Sequence, residues 1–175
     1  MAWGRFCAVV VLAGGCLGAS VSTGFTAKDS APTTSGLPIP RYVSLKSDHV
    51  NVRAGPTKDN DVAWVYTRSG LPVEITAEFE NWRRVRDSEG AEGWVYHSLL
   101  SGRRTAVVTM KNKGALASLY DRADANSSVT ARLQAGVIAQ VRKCDEHWCH
   151  ISGEGFDGWI EQQRLWGVYA DEKVD

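Results

Sequence analysis

The stretch 71–100, LPVEITAEFENWRRVRDSEGAEGWVYHSLL, decides the fold, because it recurs at 137–165 as VIAQVRKCDEHWCHISGEGFDGWIEQQRL. Val73 falls on Ala139, Ile75 on Val141, Trp82 on Trp148 and Val85 on Ile151, all 66 residues apart. After a one-residue deletion in the second copy, Gly93-Trp94-Val95 falls on Gly158-Trp159-Ile160. Further upstream Gly70 lies over Gly136, and VRAGP at 52–56 over YDRAD at 120–124. A repeat of this length marks one structural unit used twice.

Each copy carries the signals of short strands. Val73, Ile75 and Ala77 alternate with polar residues, as a strand with one buried face requires. EFEN and DEH are polar turns, and SEGAEG and GEGFDG supply glycine for the next hairpin. A helical period sustained over 12 or more residues is missing outside the first segment. Seven tryptophans and 17 glycines also suit strands joined by tight turns. The sequence therefore predicts an all-β chain, two small barrels in tandem. Domains this small bury little apolar area, which gives several tryptophans a structural role. Twenty basic residues balance 20 acidic ones, so composition supports neither nucleic-acid binding nor a polybasic membrane tether.

The chain begins with one positive charge in MAWGR and an apolar run, FCAVVVLAGGCLG, too short to span a bilayer. Residues 1–22 are expected to be a secretory signal peptide, with no transmembrane helix left after cleavage. LAGGC resembles a lipoprotein box ending at Cys16, but its leucine stands one position too far away, so a lipid anchor at Cys16 is not expected. Residues 23–40, rich in Ser, Thr, Gly and Pro, read as a disordered linker. The first barrel is expected over 41–104, the second over 105–169, and a tail over 170–175. The expected destination is the periplasm or cell envelope.

Signal cleavage leaves two cysteines, Cys144 and Cys149, inside the stretch CDEHWCH. An even pair in an oxidising compartment is a disulfide by default. Haem attachment and zinc binding are the alternatives. The overlay weighs against both, because Cys144 lies on Glu78, His147 on Asn81, Cys149 on Arg83 and His150 on Arg84. The first copy builds the same hairpin without a metal ligand. Adjacent strand residues such as Cys149 and His150 also point to opposite faces, so four ligands cannot converge. No metal and no cofactor is expected. A separation across the hairpin turn brings the two Cα atoms within disulfide range. One ambiguity of register remains: Glu78 opposite Arg83 implies a slightly different pairing from Ile75 opposite Val85.

VNVRAGP, LPVEI, NWRRVR and GWVYHSLL together resemble a bacterial SH3-like domain of the exported, envelope-associated kind, and the LWGVY ending resembles tandem members from alphaproteobacteria. The resemblance implies two SH3-like barrels and a non-catalytic targeting or interaction role. It implies binding to cell-wall peptidoglycan or to an envelope protein or peptide. The alternative is a regulatory or structural subunit of a separately encoded cell-wall hydrolase. ASLYD, 117–121, is similar to the entry strand of eukaryotic SH3 domains, but Gln163 and Arg164 stand where a ligand-facing tyrosine is wanted.

No catalytic residue is expected, since Ser, His and Asp occur at no recognisable spacing and His49 and His97 sit beside turns or strand ends. Trp94 and Trp159 are expected in the cores, so that Trp94→Ala would unfold the first barrel. Trp82 and Trp148, next to polar turns, are half-exposed ligand candidates. In VAWVY, small Ala63 and branched Val65 are assigned the inner face, which puts Trp64 and Tyr66 outside as further candidates. Arg53, Arg68 and Arg84 would hold a ligand's carboxylates beside such aromatics.

Overall fold

The computed structural model describes residues 34–110, 112 and 114–175. The expected signal peptide, Cys16 and most of the expected linker lie outside the described residues. One sheet comprises β1 (Arg41–Leu45), β2 (Val50–Arg53), β3 (Val62–Tyr66), β4 (Pro72–Phe79), β5 (Trp82–Arg86), β6 (Glu92–Tyr96) and β7 (Leu100–Ser101). The other comprises β8 (Thr105–Val108), β9 (Leu116–Tyr120), β10 (Val129–Gln134), β11 (Ile138–Asp145), β12 (Trp148–Gly153), β13 (Phe156–Glu161) and β14 (Leu165–Trp166). The strand orders are β3-β2-β6-β5-β4-β1-β7 and β10-β9-β13-β12-β11-β8-β14, the same path twice. A final strand, β15 (Lys173–Val174), pairs with β11 inside the expected tail. The chain is all-β, two SH3-like barrels in tandem.

Each barrel closes on its own apolar interior. Leu45, Val50, Val52, Val73, Ile75, Val85 and Val95 fill the first. Ala117, Leu119, Val141, Ile151 and Ile160 do so in the second, with both cysteines. Val52 and Leu119 are equivalent, one residue away from the overlay of VRAGP on YDRAD, because Arg53 and Tyr120 both pair with the Gly-Trp tryptophan.

The ambiguity of register dissolves in a bulge. Ile75 faces Val85 and Glu78 faces Arg83, and an irregularity between Ile75 and Ala77 reconciles the two pairings. The second barrel repeats it: Val141 faces Ile151, Cys144 faces Cys149, and the shift lies between Val141 and Lys143. A bulge adds one residue to one strand and bends it, so neither pairing was in error.

Two placements reverse the expectation. Tyr66 is buried at 8% exposure, Trp64 packs against the same core, and Ala63 is exposed. The cause is Gly93. A Cβ on Gly93 would lie 3.0 Å from the Trp64 ring and 2.4 Å from Val52. Glycine on the inner face of β6 thus leaves the space that Trp64 fills. The same inward glycine turns Trp94 outward, where it is half-exposed, and Trp159 follows Gly158 in the same way. Val95 and Ile160 hold the core positions instead. Tyr66 carries its hydroxyl to Asp87 at 3.0 Å, and burial followed by that carboxylate raises its pKa.

Residues 34–40 of the expected linker lie against the first barrel. Ser35 donates to Glu78 from its backbone nitrogen (2.8 Å) and its hydroxyl (2.7 Å). Arg41 (2.6 Å) and Arg83 (3.1 Å) bind the same carboxylate, whose side chain is 1% exposed. Burial pulls this pKa up. The hydrogen bonds from Arg41 and Ser35 and the charge of Arg83 outweigh it and hold Glu78 at about 2. A composition argument misses such a segment, because polar bonds rather than an apolar period hold it.

The barrels meet at a joint. Glu74 is buried at 3% exposure although alternation assigns it to the outside. Its carboxylate accepts from the Arg86 guanidinium, with Nε at 3.0 Å, and from the Tyr169 hydroxyl at 2.9 Å. Tyr42 packs its ring on Trp166 (5.4 Å, edge-on) and on Tyr169 (4.6 Å). Arg68 donates to Gly136 O and Thr105 to Gly70 O, each at 2.8 Å. Here Gly167, at φ 120, lets the chain pass 2.4 Å (from an added Cβ) from Thr105 O. The LWGVY ending is the second barrel's half of this joint.

Candidate functional site

The turn of CDEHWCH builds one wall of a cleft of about 600 Å³. Asp145 Oδ1 accepts from the backbone nitrogens of His147 (3.2 Å) and Trp148 (2.8 Å), which folds the turn back on itself. Below the turn, Cys144 and Cys149 are joined with their Cα atoms 4.1 Å apart, the spacing of directly opposed strand residues. Both sulfurs are committed to each other, and Cys149 is buried while His150 is half-exposed and bonded to Asp157 at 2.8 Å. The opposite faces expected for these two neighbours are seen.

The other wall is the segment after β14. Buried Gln162 donates to Glu172 O (2.9 Å) and accepts from Asp171 N (3.1 Å). Glu172 receives Arg104 at 2.7 and 3.0 Å and the Tyr169 backbone nitrogen at 2.8 Å. Lys173 reaches across to Glu146 at 2.9 Å. The cleft between these walls is open to solvent, with Trp148 and Tyr169 as its aromatic surfaces and Glu161, Gln163 and Asp171 among its polar ones. On the first barrel the chain leaves for β8 at the equivalent point, so this wall belongs to the second barrel alone.

Trp148 also stands edge-on to Tyr120, ring centres 5.6 Å apart. The tyrosine of ASLYD therefore does meet an aromatic partner. The first barrel keeps a smaller version of the surface. There Trp82, Tyr96 and Leu99 line a hollow of about 170 Å³ with Asn51, Arg53 and Lys58. Trp82 is 8% exposed rather than half-exposed, because Tyr96 covers it edge-on at 5.4 Å.

The structure thus brings Trp82 and Arg53 together, and sets Trp148 in the large cleft. It does not bring the other candidates there. Trp64 and Tyr66 face the core, and Arg68 is spent on Gly136 across the joint. Arg84 is exposed and pairs with Glu92 at 2.6 Å. Tyr96, Tyr120, Gln162 and Tyr169 were not read from the sequence as site residues. Tyr120 had a signal in ASLYD and Tyr169 in LWGVY.

Opening the disulfide gives a direct check on this construction. Replacing both Cys144 and Cys149 by Ser is expected to lower the second barrel's stability by about 2 kcal/mol, the loop-entropy value for so short a ring. Urea unfolding followed by tryptophan fluorescence measures it, and an unchanged midpoint would contradict the structural role.

Among the described residues no group of three or more His, Cys, Asp or Glu is placed to hold a metal ion, and no helix is long and apolar enough to cross a membrane. Among curated proteins none matches the chain. Solved structures similar to it include NlpC2 of Trichomonas vaginalis, at 14% identity and TM-score 0.32, covering 73% of this chain and 48% of that one. NlpC1 of the same organism is similar at 15% identity and TM-score 0.31, covering 76% and 48%. The chain spans about half the length of each. The bacterial SH3 domain model matches residues 46–102 and again 113–167, one match to each sheet. The repeated strand order, the two closed cores and these two matches agree: the chain belongs to the bacterial SH3 domain family, as a tandem pair.

Proposed function

We propose that the chain is an exported, non-catalytic binding protein of the cell envelope that takes cell-wall peptidoglycan in the cleft of its second barrel. The observation that carries this reading is the cleft itself: about 600 Å³ between Trp148 and Tyr169, edged by carboxylates and amides. Flat aromatic faces suit the apolar faces of sugars and peptide stems, and the polar edge suits their hydroxyl, amide and amino groups. The disulfide supports an oxidising destination. In the first barrel the hollow beside Trp82 and Arg53 offers a second, shallower contact for the same polymer.

Sedimentation with purified peptidoglycan tests the reading. Trp148→Ala is expected to weaken binding about tenfold, the loss typical of a central aromatic, with the fold intact by circular dichroism. Equal sedimentation of both proteins would overturn the assignment of the cleft. Sedimentation only when a cell-wall hydrolase is added would favour the regulatory-subunit alternative.

A further inference from the structure

A second cleft, of about 520 Å³, lies between the two barrels and away from Trp148. Its lining includes Arg103, Arg142, Ser152, Gln140, Ile138 and Phe156. The cross-barrel bonds of Thr105 to Gly70 O and of neighbouring Arg68 to Gly136 O fix its floor. Gly70 itself comes close to the second barrel, since a Cβ there would touch Ile138 at 3.8 Å.

The charges in this cleft are unbalanced. Arg103 is exposed, and its guanidinium has no partner among the described residues. Arg142 is exposed and spends only Nε, on Ser152 Oγ at 2.8 Å. The acid in the lining, Asp157, is already bonded to His150. Neither guanidinium has an ion-pair partner among the described residues, and both residues line the one hollow. Two arginines against one acid leave the lining with an excess of positive charge, which favours an anionic ligand.

We infer that the inter-barrel cleft binds the free carboxylate of a short peptide. A guanidinium takes a carboxylate through two parallel hydrogen bonds, a fork that a lone oxygen or an amide does not match. Ile138 and Phe156 offer apolar surface to the residue bearing the carboxylate, while Ser69 and Gln140 offer hydrogen bonds to its amide. Clefts at domain boundaries are common ligand sites for this reason of shape. The site is separate from the peptidoglycan cleft.

The experiment is a titration of the full chain, followed by amide NMR, with an acetylated dipeptide carrying a free C-terminal carboxylate. Its C-terminal amide and inorganic phosphate serve as comparison probes. The expected result is saturable shifts at Gln140 and Gly153, at least tenfold weaker binding of the amide, and phosphate weaker than the peptide. Arg103→Gln and Arg142→Gln should each weaken the peptide at least fivefold, and Trp148→Ala should leave it unchanged. Equal binding of peptide and amide, or no shifts, overturns the inference. Phosphate binding as tightly as the peptide overturns the peptide assignment in favour of a general oxyanion site. Loss with Trp148→Ala overturns the separation of the two clefts. Because the readout is local, a failed peptidoglycan sedimentation leaves this result intact.

Discussion

Gly93→Ala is expected to unfold the first barrel at moderate urea, while Trp94→Ala leaves it folded. The added Cβ would stand 2.4 Å from Val52 Cγ1, 3.0 Å from the Trp64 ring and 3.2 Å from Arg53 O. Val52 is fully buried, so it has no room to retreat, and the backbone of β2 blocks the remaining direction. Overpacking of this kind costs roughly 3 kcal/mol, at the upper end of the usual range. A barrel of this size has little more than that to lose. Trp94, by contrast, is half-exposed on the outer face between Arg53 and Arg84, and its removal opens no cavity in the core. Urea titration of the two single variants decides the matter. A Trp94→Ala protein less stable than Gly93→Ala would reverse the inward and outward assignment of the pair.

Glu78→Gln should destabilise the first barrel by about 3 kcal/mol at neutral pH and leave the second untouched. The figure follows from a carboxyl held at about 2 instead of 4.5, at roughly 1.4 kcal/mol per pH unit. A lowered folded-state pKa means that the stabilisation is complete above about pH 4.5 and fades as the pH falls toward 2. The variant removes the charge that Arg41 and Arg83 share, and leaves Arg83 with a side chain only 9% exposed. In the second barrel the equivalent pair is Cys144 and Cys149, which does not titrate. Acid should therefore loosen the first barrel before the second, and a thiol reductant the second before the first. Amide exchange resolved by residue reads both. Simultaneous loss of the two barrels in acid would contradict the role of Glu78.

Much of this was legible in the sequence, and the residues show why the remainder was not. The spacing of Trp82 and Trp148 gave away the repeat, and Cys144 over Glu78 identified a hairpin closed in two chemical ways. The phase of VAWVY was misread because the strand was judged alone. Trp64 faces inward since Gly93, on a different strand, leaves a hole for it. Alternation likewise failed at Glu74, whose outer face is covered by the other barrel through Tyr169. The cleft beside Trp148 is assembled from 146–148 and 161–171, which meet where Trp148 pairs with Glu161 and Gln162 N donates to His147 O, while the bonds of Gln162 and Glu172 fold the second segment into a wall. No local pattern announces a contact that two distant stretches make between them.

The joint of Tyr42, Glu74, Trp166 and Tyr169 bears on avidity. Two modules on a slack tether explore many separations, and the second binding event proceeds at an effective concentration set by tether length. Here three residues, 102–104, separate the last strand of one barrel from the first of the next, and side chains lock the pair across that gap. The hollow beside Trp82 and the cleft beside Trp148 are thereby held at one spacing. A polymer whose repeat matches that spacing gains from occupying both, and one that does not match gains nothing however long it is. Under the cell-wall reading proposed above, polymer length and cross-link pattern, more than the chemistry of a single unit, would then decide what the tandem pair retains.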